Sequence, residues 1–293
     1  MSDPNRSDPN VNAAIPAVPA GHARSLLFVP ATRPERFAKA LDSGADCIII
    51  DLEDAVAEGS KDAARALLAR HLPQLDAAQR ARTMVRINAA GMPWHAADLA
   101  LLREWAGRGV AVMLPKSEDP AALRCAARAL GEAARIVALV ESLAGLDAAD
   151  ALAREPQVVR LAFGHLDFQL DLGMRASAEE PELAFARNAL VAASRRAQLP
   201  APIDGVTTDT GNAERLVADA RRARAFGFGG KLCIHPAQVA DVNEALGHSE
   251  AERAWAARVL EEAARRGGEV FSLDGRMVDL PVIRAARAVL AAG

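Results

Sequence analysis

Eight times over, a short apolar run is followed by a stretch of helical spacing, and this repetition constrains the fold more than any single motif. The runs are Ser25 to Val29, Cys47 to Ile50, Met84 to Asn88, Val110 to Leu114, Arg135 to Glu141, Val158 to Gly164, Ile203 to Val206 and Gly230 to Ile234. They are apolar on both faces, as strands are when helices cover a parallel sheet on each side. Between them, helical patterns are expected over Pro34 to Asp42, Ser60 to His71, His95 to Gly107, Ala148 to Arg154, Pro181 to Ala197 and Asn212 to Phe226. Another starts at Asp119-Pro120, a capping residue followed by a proline that needs no helical N–H. Eight such repeats predict a closed (β/α)8 TIM barrel. An open doubly wound sheet is the competing architecture, but it would ordinarily carry a glycine-rich phosphate loop after its first strand. That position reads Phe28-Val29-Pro30-Ala31-Thr32.

The barrel is expected to span residues 23–246. Residues 1–22 repeat Ser-Asp-Pro-Asn and then scatter prolines among small residues, the composition of a disordered tail. Residues 247–293 give two more helical stretches, Ser249 to Arg266 and Leu280 to Ala292, joined by a hairpin-like segment turning at Asp274-Gly275. This C-terminal extension reads as a lid that contacts a neighbouring subunit.

A formal net charge of −3 offers no electrostatic reason to expect nucleic acid or an anionic membrane as partner. No run of about 18 apolar residues suits a bilayer, and the N-terminus lacks a basic segment leading into an apolar one. The three cysteines, Cys47, Cys125 and Cys233, are scattered and odd in number. They suit a reducing compartment, so the expected location is cytoplasmic.

In a barrel of this kind, reactive groups gather at the C-terminal strand ends whatever the chemistry. Those ends supply Glu53 and Asp54, Arg86 and Asn88, Lys116, Glu141, Asp167, Asp204 and His235. Some of these acids have a plainer use, accepting bonds from the free N–H groups of the next helix. Asp54 and Asp204 are equally open to it, and Asp171 competes with Asp167 as a ligand. Glu141 follows an apolar residue and precedes a turn, which aims it into the barrel mouth. Two carboxylates with room for water and substrate oxygens suit Mg²⁺, so Glu141 and Asp167 are the expected metal ligands. Arg86 could form a fork with a carboxylate or stabilise a developing enolate oxygen. His165 and His235, isolated beside apolar runs, are more readily structural.

The segments Ser25 to Ala31, Asp51-Leu52-Glu53-Asp54-Ala55-Val56, Val85-Arg86-Ile87-Asn88, Leu114-Pro115-Lys116, Glu141-Ser142-Leu143-Ala144-Gly145, Asp167 to Gly173 and Gly230 to Val239, in this order and spacing, resemble one family. It is the citrate lyase beta-subunit-like (CitE-like) family of the HpcH/HpaI aldolase superfamily, and the resemblance runs from about Arg24 to the end. It implies a Mg²⁺-dependent carbon–carbon lyase that splits a 3-hydroxyacyl-CoA thioester of malyl-CoA or citramalyl-CoA type into a 2-oxo acid and acetyl-CoA, or runs the reverse condensation. By similarity, Glu141 and Asp167 hold the metal and Arg86 contacts substrate beside it. Glu53, Asp54, Lys116 and Arg33 join the binding candidates, the last two facing the phosphates of coenzyme A. Met277-Val278-Asp279 looks like the family's C-terminal motif, which implies a homotrimer in which Asp279 enters a neighbour's site as an acid/base. The resemblance also admits a citrate lyase beta subunit acting on a citryl thioester of an acyl carrier protein, a 4-hydroxy-2-oxo acid aldolase, or a non-catalytic acyl-CoA-binding subunit. Two positions depart from the family pattern. Leu166 stands where a carboxylate is usual, and Ser142 where threonine is.

Overall fold

The computed structural model describes residues 20–267 and 269–291. Its eight parallel strands are β1 (Ser25–Pro30), β2 (Cys47–Asp51), β3 (Thr83–Arg86), β4 (Ala111–Leu114), β5 (Ile136–Val140), β6 (Val158–Phe163), β7 (Ile203–Asp204) and β8 (Gly230–Cys233). Each pairs with the next, and β8 pairs back onto β1, so the barrel is closed and has no free edge. The helices are α1 (Phe37–Leu41), α2 (Lys61–His71), α3 (Ala77–Ala81), α4 (His95–Ala106), α5 (Pro120–Leu130), α6 (Leu143–Ala153), α7 (His165–Asp171), α8 (Ala184–Arg196), α9 (Ala213–Phe226) and α10 (Gln238–Leu246).

Side chains alternate across each strand, and the alternation divides the core in two. Leu27, Ile48, Ile50, Val85, Val112, Ile136, Ala138 and Leu161 face outward and pack with helix residues such as Leu68, Leu102 and Leu190. Leu26, Cys47, Ile49, Met84, Met113, Val137, Leu139 and Leu232 face inward and fill the barrel. This parity decides what reaches the mouth. Asp51, Arg86 and Glu141 continue the inward series of β2, β3 and β5. Asp204 belongs to the outward series of β7, and its carboxylate meets Arg187 of α8 at 3.1 Å.

At the opposite end Arg160, fully buried, donates to the carbonyls of Ala23 at 2.7 Å and Ala201 at 2.6 Å. Ala20, within the stretch expected to be tail, is buried beside it in the inner cluster, while His22 is exposed. Residues 1–19 of that tail lie outside the described residues.

Beyond the barrel, α11 (Glu250–Arg265) and α12 (Leu280–Ala291) pack around a hairpin of β9 (Phe271–Leu273) and β10 (Arg276–Val278). Val259, Phe271, Val278, Ile283 and Ala286 give this lobe its own small core. Among the described residues no helix is long and apolar enough to cross a membrane.

Candidate active site

Asp51 closes β2 and lies in register with Arg86, the last residue of β3. Both face inward, and the guanidinium meets the carboxylate as a fork, Nε to Oδ1 at 2.8 Å and Nη2 to Oδ2 at 2.6 Å. Nη1 donates to Asp54 at 3.1 Å, and the plane stacks over Phe28 at 4.7 Å. The fork expected to grip substrate is therefore filled by Asp51. Three of the five N–H groups are used in these bonds, which leaves at most two for a ligand. Burial alone would lower the guanidinium's pKa, but the bonds and charge of Asp51 raise it, so the cation is permanent.

The loop after β2 is fixed from beneath by Lys61. Its buried ammonium donates to the carbonyls of Leu52 at 2.9 Å and Glu53 at 2.7 Å and lies under the Trp94 ring. Glu53 is thereby held inside the rim, with Lys116 Nζ at 3.3 Å from Oε1. Its Oε2 lies 3.1 Å from Arg86 Nη1, yet it is buried without an aligned hydrogen bond. Burial, opposed by Arg86, pushes the Glu53 carboxyl up to about 7.

Glu141 stands at the end of β5, where its Oε1 accepts the backbone N–H of Lys116 at 2.8 Å. Lys116 has a left-handed backbone, φ 46°, which points that N–H at the carboxylate. Gly164 closes the other side, since a Cβ there would sit 2.6 Å from Glu141 Oε2. Burial and then the nearby charge of Glu53 push Glu141 up to about 8. Asp167 lies in the first turn of α7 and lines the same cleft. Its rival Asp171 is occupied, accepting Leu143 N–H at 2.8 Å and so anchoring the start of α6.

The cleft holds about 370 Å³ above the barrel interior. Its floor and walls are Phe28, Leu139, Phe163, Leu166, Val206, Leu232 and Ile234, with Asp51, Asp54, Arg86, Glu141, His165 and Asp167 as the charged or titratable lining. Among the described residues no three carboxylate, histidine or cysteine side chains converge as a preformed metal cage. The donor set nonetheless suits a hard cation. Two carboxylates face one opening, one of them is desolvated enough to hold its proton, and Glu53 Oε2 is an orphaned oxygen nearby. A divalent cation would relieve that concentration of negative charge and still leave positions for ligand oxygens.

Other expected residues lie elsewhere. Lys116 reaches the rim through Glu53, whereas Arg33 is exposed, paired with Glu35 at 2.6 Å, and outside the cleft lining. Asn88 is turned away to Asp98, 2.6 Å from its side-chain nitrogen. His235 is exposed and accepts from Ala237 N–H, a turn contact. Asp279 lies in the C-terminal lobe and accepts the N–H of Val282 at 3.2 Å, capping α12 of its own chain. A wider hollow of about 1070 Å³, bounded by α9, α10 and α11, contains none of these strand-end groups.

Behind the cleft wall lies a buried ionic layer that sequence reading did not anticipate. Arg187 joins Glu180 at 2.6 Å to Asp204 at 3.1 Å, Arg222 adds a second cation to Glu180 at 2.8 Å, and Lys231 donates to Gly205 O at 2.7 Å. It supports His165, whose ring lies so close to Gly205 that any Cβ there would overlap it. Burial lowers the His165 pKa.

The geometry can be set beside proteins already known. Residues 24–236 match the HpcH/HpaI aldolase/citrate lyase family. A citrate lyase subunit beta-like protein of Deinococcus radiodurans is 38% identical over 282 residues, spanning 93% of this chain and 98% of the relative. A (3S)-malyl-CoA thioesterase of Cereibacter sphaeroides is 34% identical over 271 residues, covering 92% and 93% of the two chains. Among solved structures, CitE of Mycobacterium tuberculosis in complex with magnesium, acetoacetate and coenzyme A superposes with a TM-score of 0.79. It is 36% identical, over 93% of this chain and 98% of that one.

Proposed function

Because the chain belongs to the HpcH/HpaI aldolase/citrate lyase family, we propose that it is a Mg²⁺-dependent lyase of 3-hydroxyacyl-CoA thioesters. The substrate class is malyl-CoA or citramalyl-CoA, whose carbinol carbon carries a carboxylate, and the products are a 2-oxo acid and acetyl-CoA. The observation that carries this reading is the pair Glu141 and Asp167 facing one cleft beside a permanently charged Arg86. The known CitE structure with magnesium, acetoacetate and coenzyme A supports the cofactor and the thioester.

Glu141 and Asp167 would hold the cation. Bound there, it would polarise the substrate's carboxylate and hydroxyl oxygens as a Lewis acid. The hydroxyl gives up its proton to water in the cleft, its oxygen becomes the carbonyl of the 2-oxo acid, and the bond between the carbinol carbon and the thioester α-carbon breaks. The electron pair passes to the α-carbon, and the enolate oxygen that shares it is stabilised by the remaining N–H groups of Arg86. Asp51 and Phe28 position that guanidinium. Glu53, Asp54 and Lys116 set the rim charge on the coenzyme A side, where Arg33 also lies on the first loop. Asp279 of a neighbouring copy in a homotrimer delivers the proton that completes acetyl-CoA. The Asp279 carboxylate caps its own α12 and does not line the cleft of its own chain, which supports action across subunits. Three free cysteines support a cytoplasmic setting.

The deciding experiment follows the full chain acting on malyl-CoA and citramalyl-CoA with Mg²⁺ or with a chelator. Equal amounts of acetyl-CoA and the 2-oxo acid are expected, with no turnover under chelation. Free hydroxy acid and coenzyme A would instead indicate a thioesterase, the activity in the name of the Cereibacter relative. Cleavage confined to a free 4-hydroxy-2-oxo acid, or to a citryl thioester on acyl carrier protein, would replace the substrate assignment. Binding of the thioesters without turnover would make the chain a non-catalytic subunit.

A further inference from the structure

The cleft has carboxylates on one side and hydrocarbon on the other, and that asymmetry bears on which 2-oxo acid leaves. The inference deepens the lyase reading and rests on it. In a substrate of this class the carbinol carbon carries the reacting CH₂ thioester arm, a hydroxyl, a carboxylate and a fourth substituent. Hydrogen, an alkyl group or a second carboxylate arm as the fourth substituent gives a different oxo acid in each case.

We infer that the fourth substituent is an alkyl group, received by the wall of Leu166, Val206 and Ile234, and that a second carboxylate arm is refused. Among the described residues Arg86 is the one arginine or lysine in the cleft lining, and its charge is already opposed by Asp51, Asp54 and Glu53. The imidazole of His165 is committed, packed on Gly205 with Nε2 toward Glu180 at 3.9 Å. Lys116, on the rim, pairs with Glu53. A second substrate carboxylate would enter a cleft that already holds Asp51, Asp54, Glu141 and Asp167. A cation on Glu141 and Asp167 would be engaged by the first carboxylate and the hydroxyl, and Arg86 by the enolate oxygen, so that among the described lining residues no further cation faces it. A buried charge without a partner is strongly disfavoured.

Against this, Leu166 is 47% exposed and Ile234 41% exposed, although both line the cleft. Large apolar side chains left open beside a reactive centre are covered to advantage by an apolar part of the ligand. Leu166 occupies the position directly before Asp167 in the first turn of α7, next to the proposed metal ligand. An alkyl substituent gains from that wall and hydrogen does not.

The test compares three CoA thioesters that differ only in the fourth substituent, hydrogen, methyl or carboxymethyl, with the full chain and Mg²⁺. The methyl compound should exceed the hydrogen compound in kcat/KM by about tenfold, the range one methyl group commands in an apolar pocket. Carboxymethyl should fall below methyl by about a hundredfold or more. Leu166→Ala should shrink the methyl preference, and Leu166→Arg should raise the carboxymethyl compound relative to methyl. In parallel, calorimetry with Mg²⁺ and the free acids glyoxylate, pyruvate and oxaloacetate reads the same ranking without turnover. Equal or tighter binding of oxaloacetate, or a preference for hydrogen over methyl, overturns the inference. If no thioester is cleaved, the lyase reading falls, and the binding ranking still decides the character of the wall.

Discussion

At the barrel mouth Glu53, Glu141, Asp51 and Arg86 are withdrawn from water, Asp51 and Glu53 against Arg86 and Glu141 on the backbone N–H of Lys116, whereas the C-terminal lobe keeps its charges in solvent. There Arg258 meets Asp274 at 2.7 Å and Arg266 meets Glu262 at 2.6 Å across exposed surface. The lobe folds around Val259, Phe271, Val278 and Ile283, and its ion pairs add little to that core. The mouth gains nothing in stability from carboxylates held above their ordinary pKa, since desolvating them opposes folding. Groups kept at such a disadvantage are where function is to be sought. The comparison therefore separates charge that solvates a surface from charge held ready for a ligand.

The sharpest way to break it is to neutralise the mouth. Glu141→Gln or Asp167→Asn should reduce Mg²⁺-dependent turnover by about a thousandfold, comparable to removing other groups that stabilise developing charge. The melting temperature measured in chelator should not fall, and for Glu141→Gln it should rise at alkaline pH, because a reluctant carboxylate has gone. Near-normal turnover in either variant would remove these residues from the metal assignment.

Asp279 tests the comparison from the other side, as the lobe residue assigned to the mouth of a neighbour. Asp279→Asn keeps a good capping side chain but not the proton, and Asp279→Ala loses both. Both should lower turnover by about a hundredfold, the scale of a lost general acid. Only the alanine variant should also destabilise the lobe, by about 1 kcal/mol. Mixing Asp279→Asn with Glu141→Gln protomers under verified subunit exchange should restore some activity, because some sites then draw both intact groups from different chains. No recovery would confine Asp279 to capping.

Much of the mouth was legible in the sequence because strand parity is a local property. Counting by twos along β5 carries Val137 and Leu139 to Glu141; along β2 it runs from Cys47 and Ile49 to Asp51, which sequence reading passed over for Glu53 and Asp54. The same count applied to β3 would have paired Asp51 with Arg86, but that pairing needs the register between strands, a property of two segments at once. Asp204 failed for the converse reason: it ends a strand of two residues, and its parity is set by neighbours rather than by its own run. The first half of α6 was missed because Gly145 depresses helix propensity. The structure requires glycine there, since a Cβ would meet Ser117 O at 2.7 Å, and Ser142 starts the helix by capping Gly145 N–H. Helix α7 was missed as well, so Asp167 was expected in a loop rather than in a helical first turn. The layer of Arg187, Glu180, Arg222 and Lys231 joins α8, the segment before it, α9 and β8. No spacing within one segment announces such a layer.

The smallest expected effect is on stability against pH, where the two regions should move in opposite directions. Glu53 at about 7 and Glu141 at about 8 lie above their ordinary 4.5, so the cation-free fold holds protons that the unfolded chain has released. Their contribution to stability is full below about 4.5 and is lost as pH rises through 7 and then 8. In the lobe the sign reverses. The hydrogen bond from Arg258 holds Asp274 below its ordinary value, and the one from Arg266 does the same for Glu262, so their contribution is lost as pH falls. Melting in chelator should therefore drop between about pH 6 and about pH 9, and Mg²⁺ should restore more at the alkaline end. Glu141→Gln should flatten the chelator profile, while Arg258→Ala should leave it unchanged above about pH 6. A chelator profile that is flat in the parent protein would mean that the mouth carboxylates carry no proton, and the contrast between the two regions would lose its electrostatic basis.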